Sequence, residues 1–137
     1  MDEEYIKMCR EATEIQEQWK PKSGDMFHFK AVINPFKPCM FRSDVNNSIV
    51  SYSENNQLDK IWLPRQEDLQ EIYMAPYKGG LHVSTMVNSF YRWFWDEYNN
   101  KVKSCLEQYD WNEIWLCFVM ETCYSKRWTG ETWEKTD

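Results

Sequence analysis

Five cysteines, two histidines and several carboxylates are the side chains of this sequence best suited to catalysis or metal binding. Zinc sites usually take their ligands from Cys or His pairs only a few residues apart. Here the nearest two cysteines, Cys117 and Cys123, are six positions apart, and His28 and His82 are 54 positions apart (82 − 28). The spacing therefore predicts no metal site, and we expect no bound cofactor.

The sequence also offers little support for nucleophilic catalysis, for acid–base catalysis or for phosphate binding. No cysteine is surrounded by the residues of a known cysteine-enzyme signature. His82 follows Gly79 and Gly80 and has the place of a loop base, although a histidine beside a turn is more often a surface residue. The four glycines show neither the P-loop spacing nor the dinucleotide-binding spacing. We predict no catalytic residues and a protein that is not an enzyme.

The composition is that of a folded, acidic chain rich in large rings. Its 137 residues and 16.7 kDa suffice for one domain with a core. Aromatic residues make up 17% of the chain, yet the mean hydropathy is −0.77 because polar residues occupy most other positions. The net charge of −6 makes general binding to a phosphate backbone unfavourable.

Several features bear on where the protein works. Residues 1–10 are acidic and hold no apolar segment, so they do not have the form of a secretory signal. The longest apolar run, 114–120, is far shorter than the ~20 residues of a membrane helix. An odd number of scattered cysteines argues against a disulfide framework. We expect a cytoplasmic protein that does not associate with membranes.

The stretch 20–42 departs from the acidic average of the chain. It carries five basic residues against Asp25 alone, with phenylalanines between them. Rings that stack on bases, beside cations that meet phosphates, form single-stranded nucleic-acid surfaces, but a strand with one solvent-facing side shows the same pattern. The candidate residues for contact with a nucleic acid or nucleotide are Lys20, Lys22, Phe27, Phe29, Lys30, Lys37, Phe41 and Arg42.

The order of hydrophobic patterns predicts an α+β fold in one compact domain, 1–137. Apolar residues recur every three or four positions over 2–19, which predicts an N-terminal amphipathic helix. The β-rich segment 25–63 contains three or four short strands between turn-forming stretches, and we expect a small antiparallel sheet. Three helices are predicted over 64–124 and are expected to pack on this sheet, and a tryptophan-rich tail, 125–137, is expected to be ordered.

The segment 61–73, IWLPRQEDLQEIY, is predicted to join the sheet to the helical part. Its first three residues suit the end of a buried strand, and Pro64 suits the first turn of a helix, where a missing N–H is tolerated. Arg65 is unusual, because a cation at a helix N-terminus is unfavourable. It either pairs with Asp68 three residues on or binds an anion or a partner carboxylate.

A long helix is predicted from Ser84 to about Cys105. Its main apolar stripe has one member in each turn and is flanked by Tyr91 and Trp95. We expect this stripe to face the core. Its members are Val83, Val87, Phe90, Phe94, Tyr98, Val102 and Cys105.

A second apolar patch on this helix lies roughly 100° from the centre of the main stripe. It consists of Met86 and Trp93, with Glu97 on the same side and Arg92 further round. The patch either packs against another helix or faces a partner. Exposed Trp and Arg are the residues most enriched in binding hot spots. The predicted partner-binding residues are therefore Met86, Arg92, Trp93, Glu97 and Arg65.

The last part of the chain contains a capping signal and a turn. The segment from Asp110 to Glu113 has the form of a capping box. Residues 111–124 are apolar nearly all round, which favours a buried helix, although periodicity also allows a buried strand. A turn at 129–130 separates Trp128 from Trp133, and both indoles are expected to dock on the core.

Three segments resemble small uncharacterised proteins of phages and prophages of Firmicutes. They are WKPKSGD at 19–25, IWLPRQEDLQEIY at 61–73 and WNEIWLCFVMETCYSKRWTGETW at 111–133. The resemblance takes in roughly half of the chain and leaves out 26–56. It implies no catalytic residues, a bacterial host cell as the place of action, and binding to a host protein, including the nucleases of host defence.

Two functions follow from these observations. The first is a non-enzymatic interaction protein that inhibits a host defence protein, such as a CRISPR nuclease, in a stoichiometric complex. An acidic protein can occupy a basic nucleic-acid channel through complementary charge. The second is a nucleic-acid- or nucleotide-binding module that uses the 20–42 sheet. An unrecognised enzyme is a third hypothesis, and the oligomeric state is not predicted.

Overall fold

The computed structural model describes residues 3–29, 39–40, 60–77, 79–80, 82–100 and 109–136. In these ranges the chain has five helices: α1 (Glu3–Glu11), α2 (Thr13–Gln16), α3 (Gln66–Met74), α4 (Val83–Asn100) and α5 (Trp111–Tyr124). The same ranges hold five strands: β1 (Met26–Phe29), β2 (Cys39–Met40), β3 (Lys60–Trp62), β4 (Lys126–Trp128) and β5 (Trp133–Lys135). The predicted α+β class is confirmed. None of these helices is long and apolar enough to cross a membrane.

Contacts along the chain define two compact units. One comprises Met1–Pro64 with Gly130–Trp133, and the other comprises Arg65–Thr129 with Glu134–Asp137. The chain passes from the first unit to the second after Pro64, inside the segment that the sequence marks as a join. The single compact domain stays a prediction, and the two units are described separately below.

A three-stranded sheet lies in the first unit. Its strand order is β2-β1-β3, and β1 runs antiparallel to both neighbours. Phe27 of β1 is opposite Trp62 of β3. The Leu63 N–H donates to the Met26 carbonyl at 2.9 Å, which extends the pairing beyond the end of β3. β3 is buried along its length, as predicted for Ile61 and Trp62, and its first residue, Lys60, is buried as well.

The helical stretch predicted over 2–19 is present as two helices, because the backbone leaves the helical region at Ala12. This residue has a ψ of 71°, and its side chain is buried. The Cys9 carbonyl, whose regular helical donor would be the Thr13 N–H, instead accepts from the Ala12 N–H at 3.1 Å and from Gln16 Nε2 at 3.0 Å. The side chain of Gln16 thus satisfies an acceptor at the interruption.

Gln16 also holds the end of β3. Its amide accepts from the Trp62 N–H at 2.7 Å and donates to the Trp62 carbonyl at 2.9 Å, which is the pairing that a neighbouring strand would supply. The Trp62 indole stacks on Trp19, with ring centroids 6.1 Å apart and planes 5° from parallel. Trp19 Nε1 in turn donates to the Asp25 carboxylate at 2.9 Å. The strand side of the join is therefore fixed by both polar and aromatic contacts.

The turn between β4 and β5 is attached to α1. Trp133 is buried, and its Nε1 donates to the Met8 carbonyl at 2.9 Å. The Lys7 ammonium donates to the Gly130 carbonyl at 3.0 Å and to the Glu131 carboxylate at 2.8 Å, and the bond to Glu131 raises the pKa of Lys7. The predicted docking of the Trp133 indole is confirmed. The two short strands on either side of this turn were not predicted from the sequence.

In the second unit, α3 begins at Gln66, two residues after the proline expected to open it. Arg65 is the N-cap, and its backbone N–H donates to the Asp68 carboxylate at 2.9 Å. This bond is half of a capping box, and the carboxylate lies at the positive end of the helix dipole. The Gln66 N–H donates to Asn112 Oδ1 at 3.0 Å, which connects the starts of α3 and α5.

The segment 111–124 is a helix, α5, and not the buried strand that periodicity also allowed. Asp110 Oδ1 accepts from the Glu113 N–H at 2.9 Å, as the predicted N-cap requires. At the other end Ser125 adopts the left-handed conformation with a φ of 54°. Its N–H donates back to the Glu121 carbonyl at 3.1 Å. Both ends of α5 are therefore fixed by local hydrogen bonds.

Candidate functional site

α4 packs on α5 through a cluster of aromatic rings. Phe90 stacks on Trp115, with ring centroids 4.1 Å apart and planes 9° from parallel. Phe90 and Trp93 each meet the ring of Phe118 edge-on, at 5.3 and 5.5 Å. Trp93 Nε1 also donates to the Glu121 carboxylate at 2.9 Å. These contacts fix which side of α4 faces inward.

The inward side of α4 differs from the main stripe expected from the sequence. Met86 is 3% exposed, Phe90 is buried, and Trp93 lies on the same side. Val83 and Val87, which the sequence assigns to the core, are exposed. The buried side is rotated by roughly 60° about the helix axis relative to the expected one, at 100° per residue. Periodicity finds both apolar faces of α4, but the rings of α5 select the one that is buried.

Four apolar side chains on α4 form an exposed row, named here the α4 stripe. Their exposed fractions are 62% for Val83, 50% for Val87, 58% for Tyr91 and 41% for Trp95. Successive members are four residues apart and so lie one above another along the helix. The rings of Tyr91 and Trp95 meet edge-on at 5.9 Å. Single exposed apolar residues are ordinary, whereas a contiguous apolar row marks a candidate interaction site.

The residues predicted to bind a partner have different surroundings. They are Met86, Arg92, Trp93, Glu97 and Arg65. Of the two alternatives for the Met86 and Trp93 patch, the structure shows packing against another helix, namely α5. Glu97 forms an ion pair with Arg127, Arg92 is exposed on α4, and Arg65 caps α3. A binding role for these five residues stays a prediction, and the α4 stripe is the more accessible surface.

Arg127 of β4 connects the C-terminal parts of α4 and α5. Its Nε and Nη2 donate to Glu121 Oε1 at 3.2 and 2.9 Å, and its Nη2 also donates to Glu97. The hydrogen bond to Glu121, together with the charges of both carboxylates, raises the pKa of Arg127 against the opposing effect of burial. Trp93 donates to the second oxygen of Glu121. Local sequence patterns do not indicate this network, because its members are up to 34 positions apart (127 − 93).

Arg127→Met is expected to lower the free energy of unfolding by about 1–2 kcal/mol. The variant loses three hydrogen bonds and leaves the largely buried Glu97 without this cation. The effect stays below the ~3–5 kcal/mol of a fully buried pair, because solvent reaches part of the Arg127 side chain. Urea denaturation measures it, with the exposed Lys135→Met as the matched control, expected within about 0.5 kcal/mol of wild type. Equal losses in the two variants would contradict the network.

A cleft of about 650 Å³ lies beside β4 and β5. Its lining residues are Glu121, Arg127, Trp128, Thr129, Glu134, Lys135 and Thr136. Charges of both signs line it, and Arg127 is already bonded to two carboxylates. Trp128, whose indole was expected to dock on the core, is half-buried. The described lining residues of the cleft include no Cys and no His.

The structure places only part of the predicted nucleic-acid surface. Phe27 is 6% exposed and packs edge-on against Phe29, with centroids 5.1 Å apart. The Lys60 ammonium lies over both rings, 5.8 and 5.3 Å from their centres. Lys20 and Lys22 are exposed. Lys30, Lys37, Phe41 and Arg42 lie outside the described residues. A base could stack on the ring of Phe27 only after that ring was uncovered, and nucleic-acid contact through these residues stays a prediction.

The titratable residues most relevant to chemistry are scattered. Among the described residues, no three His, Cys, Asp or Glu side chains are placed to hold a metal ion. His28 is buried, and neither of its ring nitrogens has a hydrogen-bond partner among the residues that the structure describes. His82 is exposed just before α4. Desolvation raises the pKa of the Cys123 thiol, which lowers its thiolate fraction and hence its reactivity.

Sequence reasoning missed one exposed ring at the start of α5. Trp111, the first residue of α5, is 60% exposed, and its ring centre lies 6.1 Å from that of Phe90. The apolar pattern of residues 111–124 predicts a helix that is buried nearly all round, and Trp111 departs from that prediction. Its position directly after the N-cap was the available signal, because the first turn of a helix often lies at the edge of its packing.

Comparison with known proteins does not assign the chain to a family. No match was found among models of protein families, among curated proteins or among solved structures. The resemblance to phage and prophage proteins accordingly stays a prediction.

Proposed function

We propose that the protein acts without catalysis, by binding another protein through the α4 stripe. The observation that carries this proposal is the exposed row of two valines, Tyr91 and Trp95 on one helix. Tyr and Trp supply large contact areas for a small loss of side-chain freedom, and Trp and Tyr are enriched among binding hot spots. These residue types in an aligned row suit a protein surface better than a small molecule, which would require a concave site.

The inner side of α4 supports the same proposal. Phe90 and Trp93 attach the helix to α5 through stacked and edge-on rings, and Trp93 is also hydrogen-bonded to Glu121. A helix fixed in this way presents its outer side chains in a defined arrangement before a partner arrives. Such preorganisation reduces the ordering cost of association. The packing of Trp93 thus serves the stripe indirectly.

We propose further that the partner is a host protein in the bacterial cytoplasm, and specifically a defence protein with a basic nucleic-acid channel, such as a CRISPR nuclease. The net charge of −6 supports this choice, because complementary charge speeds association and favours a basic surface. The resemblance to phage and prophage proteins supports it as well. In this account the protein inhibits its target as a stoichiometric complex, in which the stripe provides the apolar contact.

Tyr91→Glu is expected to remove partner binding. The wild-type protein and the variant are immobilised and exposed to a nuclease-treated lysate of a Firmicutes host, and retained proteins are quantified by mass spectrometry. We expect the wild type to retain one protein in near-stoichiometric amount. The variant is expected to retain at least about 30-fold less, which corresponds to the ~2 kcal/mol of a hot-spot residue.

Thr85→Glu is the matched control for this experiment. It introduces the same charge at another exposed position of α4, away from the stripe, and is expected to bind as the wild type does. Both variants should melt close to wild type, because surface substitutions usually change stability by less than about 0.5 kcal/mol. Equal loss of binding in both variants would contradict the proposal. Retention that disappears on nuclease treatment would instead support the nucleic-acid alternative, for which the exposed Lys20 and Lys22 remain candidates.

A further inference from the structure

We propose that two copies of the free protein pair through their α4 stripes, with the two α4 helices antiparallel, to form a weak dimer. The inference concerns the protein before it meets any partner and goes beyond the proposed function. It rests on the order of side chains along the stripe, on the charges near it and on its exposed area.

The order of side chains along the stripe is complementary to itself in one orientation. From its N-terminal end the row reads small, small, large, large: Val83, Val87, Tyr91, Trp95. When a two-fold axis passes between Val87 and Tyr91, each Val87 meets the partner's Tyr91 and each Val83 meets the partner's Trp95. Every contact then joins a small side chain to a large ring, which is how packed layers interdigitate. A parallel pairing would set ring against ring and leave a gap between valines.

The spacing of the stripe suits packing between helices. Residues four apart form ridges on the helix surface, and helices whose four-apart ridges run along the same direction at the contact cross at an angle near 50°. At that angle the contact is concentrated at the crossing point. Val87 and Tyr91 lie there, and the outer pair completes the contact on each side.

Charge does not oppose this pairing, although the whole protein is acidic. Residues 83–91 of α4 include no Asp, Glu, Lys or Arg. The first charged residue of the helix is Arg92, and Asp96 follows one turn later. Two copies can therefore bring Val87 and Tyr91 together at the crossing point without like-charge repulsion.

The exposed area of the stripe indicates a weak dimer. A fully buried aromatic side chain covers about 150–250 Å², so the exposed parts of Tyr91 and Trp95 with the two valines supply a few hundred Å² per copy. A standard interface buries about 800 Å² per partner. The shortfall is typical of a weak, transient contact rather than of a standard interface. A dimer of this strength leaves the stripe available to a tighter partner at low concentration.

Sedimentation velocity of the purified full chain, from about 5 to 500 µM, tests the pairing. We expect the wild type to change from monomer to dimer in this range. Val87→Lys and Tyr91→Glu should each raise the dimer dissociation constant at least about tenfold, because each buries an unpaired charge at the crossing point. The double variant V87K/Y91E should regain at least about tenfold over either single variant, since each lysine then faces the partner's glutamate.

V83K/Y91E is the matched control, with the same two charges in a register that does not bring them together. It is expected to remain a monomer. A wild type that is monomeric throughout, a dimer that survives both single variants, or double variants that behave alike would each overturn the proposal. The lysate experiment is independent of these outcomes. V87K/Y91E should dimerise yet fail to bind the partner, so failure of the dimer and failure of the proposed function are distinguishable.

Discussion

Trp62→Ala is expected to lower the free energy of unfolding by about 3–5 kcal/mol, the usual cost of removing a buried ring. Trp62 is 7% exposed, and its indole stacks on Trp19. Its backbone is held by the amide of Gln16, so the strand is expected to stay in place and leave a cavity beside Trp19. Urea denaturation followed by circular dichroism measures the change.

Trp111→Ala is the matched control for that prediction, because it removes the same side chain from an exposed position. Its expected effect is below about 1 kcal/mol. If both variants unfolded at the urea concentration of the wild type, Trp62 would not be a packing residue. Segment 61–73 would then be a candidate binding segment rather than a structural join.

Phe118→Ala is expected to have an effect of similar size, about 3–5 kcal/mol. Phe118 is fully buried in α5. Its ring lies 5.0 Å from that of Tyr73 and 5.3, 5.5 and 5.5 Å from those of Phe90, Trp93 and Trp115. Its loss should also reduce the near-ultraviolet circular dichroism, which reports on ordered rings. Calorimetry and that spectrum together measure the change.

Tyr91→Ala tests whether this loss belongs to the inner side of α4. Tyr91 is an aromatic residue of the same helix pair, but it lies on the exposed stripe. We expect its removal to change the free energy of unfolding by less than about 1 kcal/mol. Comparable losses in Phe118→Ala and Tyr91→Ala would mean that the stripe is part of a core, and would contradict the assignment of inner and outer faces.

Local signals predicted most of the elements. Asp110 marks the start of α5 through a bond to the third residue of the helix, and this depends on sequence neighbours alone. The apolar run at 61–63 gives a buried strand, and the α+β class follows from the order of such segments. These features depend little on tertiary contacts, and they can therefore be predicted from the sequence.

Features decided by distant partners were not predicted. Ala12 interrupts the first helix where Gln16 turns to the Trp62 backbone 46 positions away. The two faces of α4 are both apolar, and the rings of α5 decide between them. Arg127 forms ion pairs with one carboxylate on α4 and one on α5. In each case the local sequence is compatible with more than one arrangement. A contact with a residue from another element determines which arrangement forms.

The α4 stripe, too, could not be predicted from local sequence patterns alone. The sequence identified Tyr91 and Trp95 only as flanks of a core stripe, because an apolar residue on a helix is more often inside than outside. Once Phe90 and Trp93 are placed against α5, the two flanking rings are exposed together with Val83 and Val87. The α4 stripe can therefore be identified only when it is known which side of α4 packs on α5.

Photo-crosslinking in living cells tests the central claim most directly. A photoreactive phenylalanine analogue replaces Tyr91 on the α4 stripe in one strain and Thr85, exposed elsewhere on the same helix, in another, both in a Firmicutes host. We predict that the probe at position 91 joins the chain to one host protein, and that the probe at position 85 does not. A probe at 91 that yields no adduct beyond a second copy of the chain, or equal adducts from both positions, would contradict partner binding through the α4 stripe.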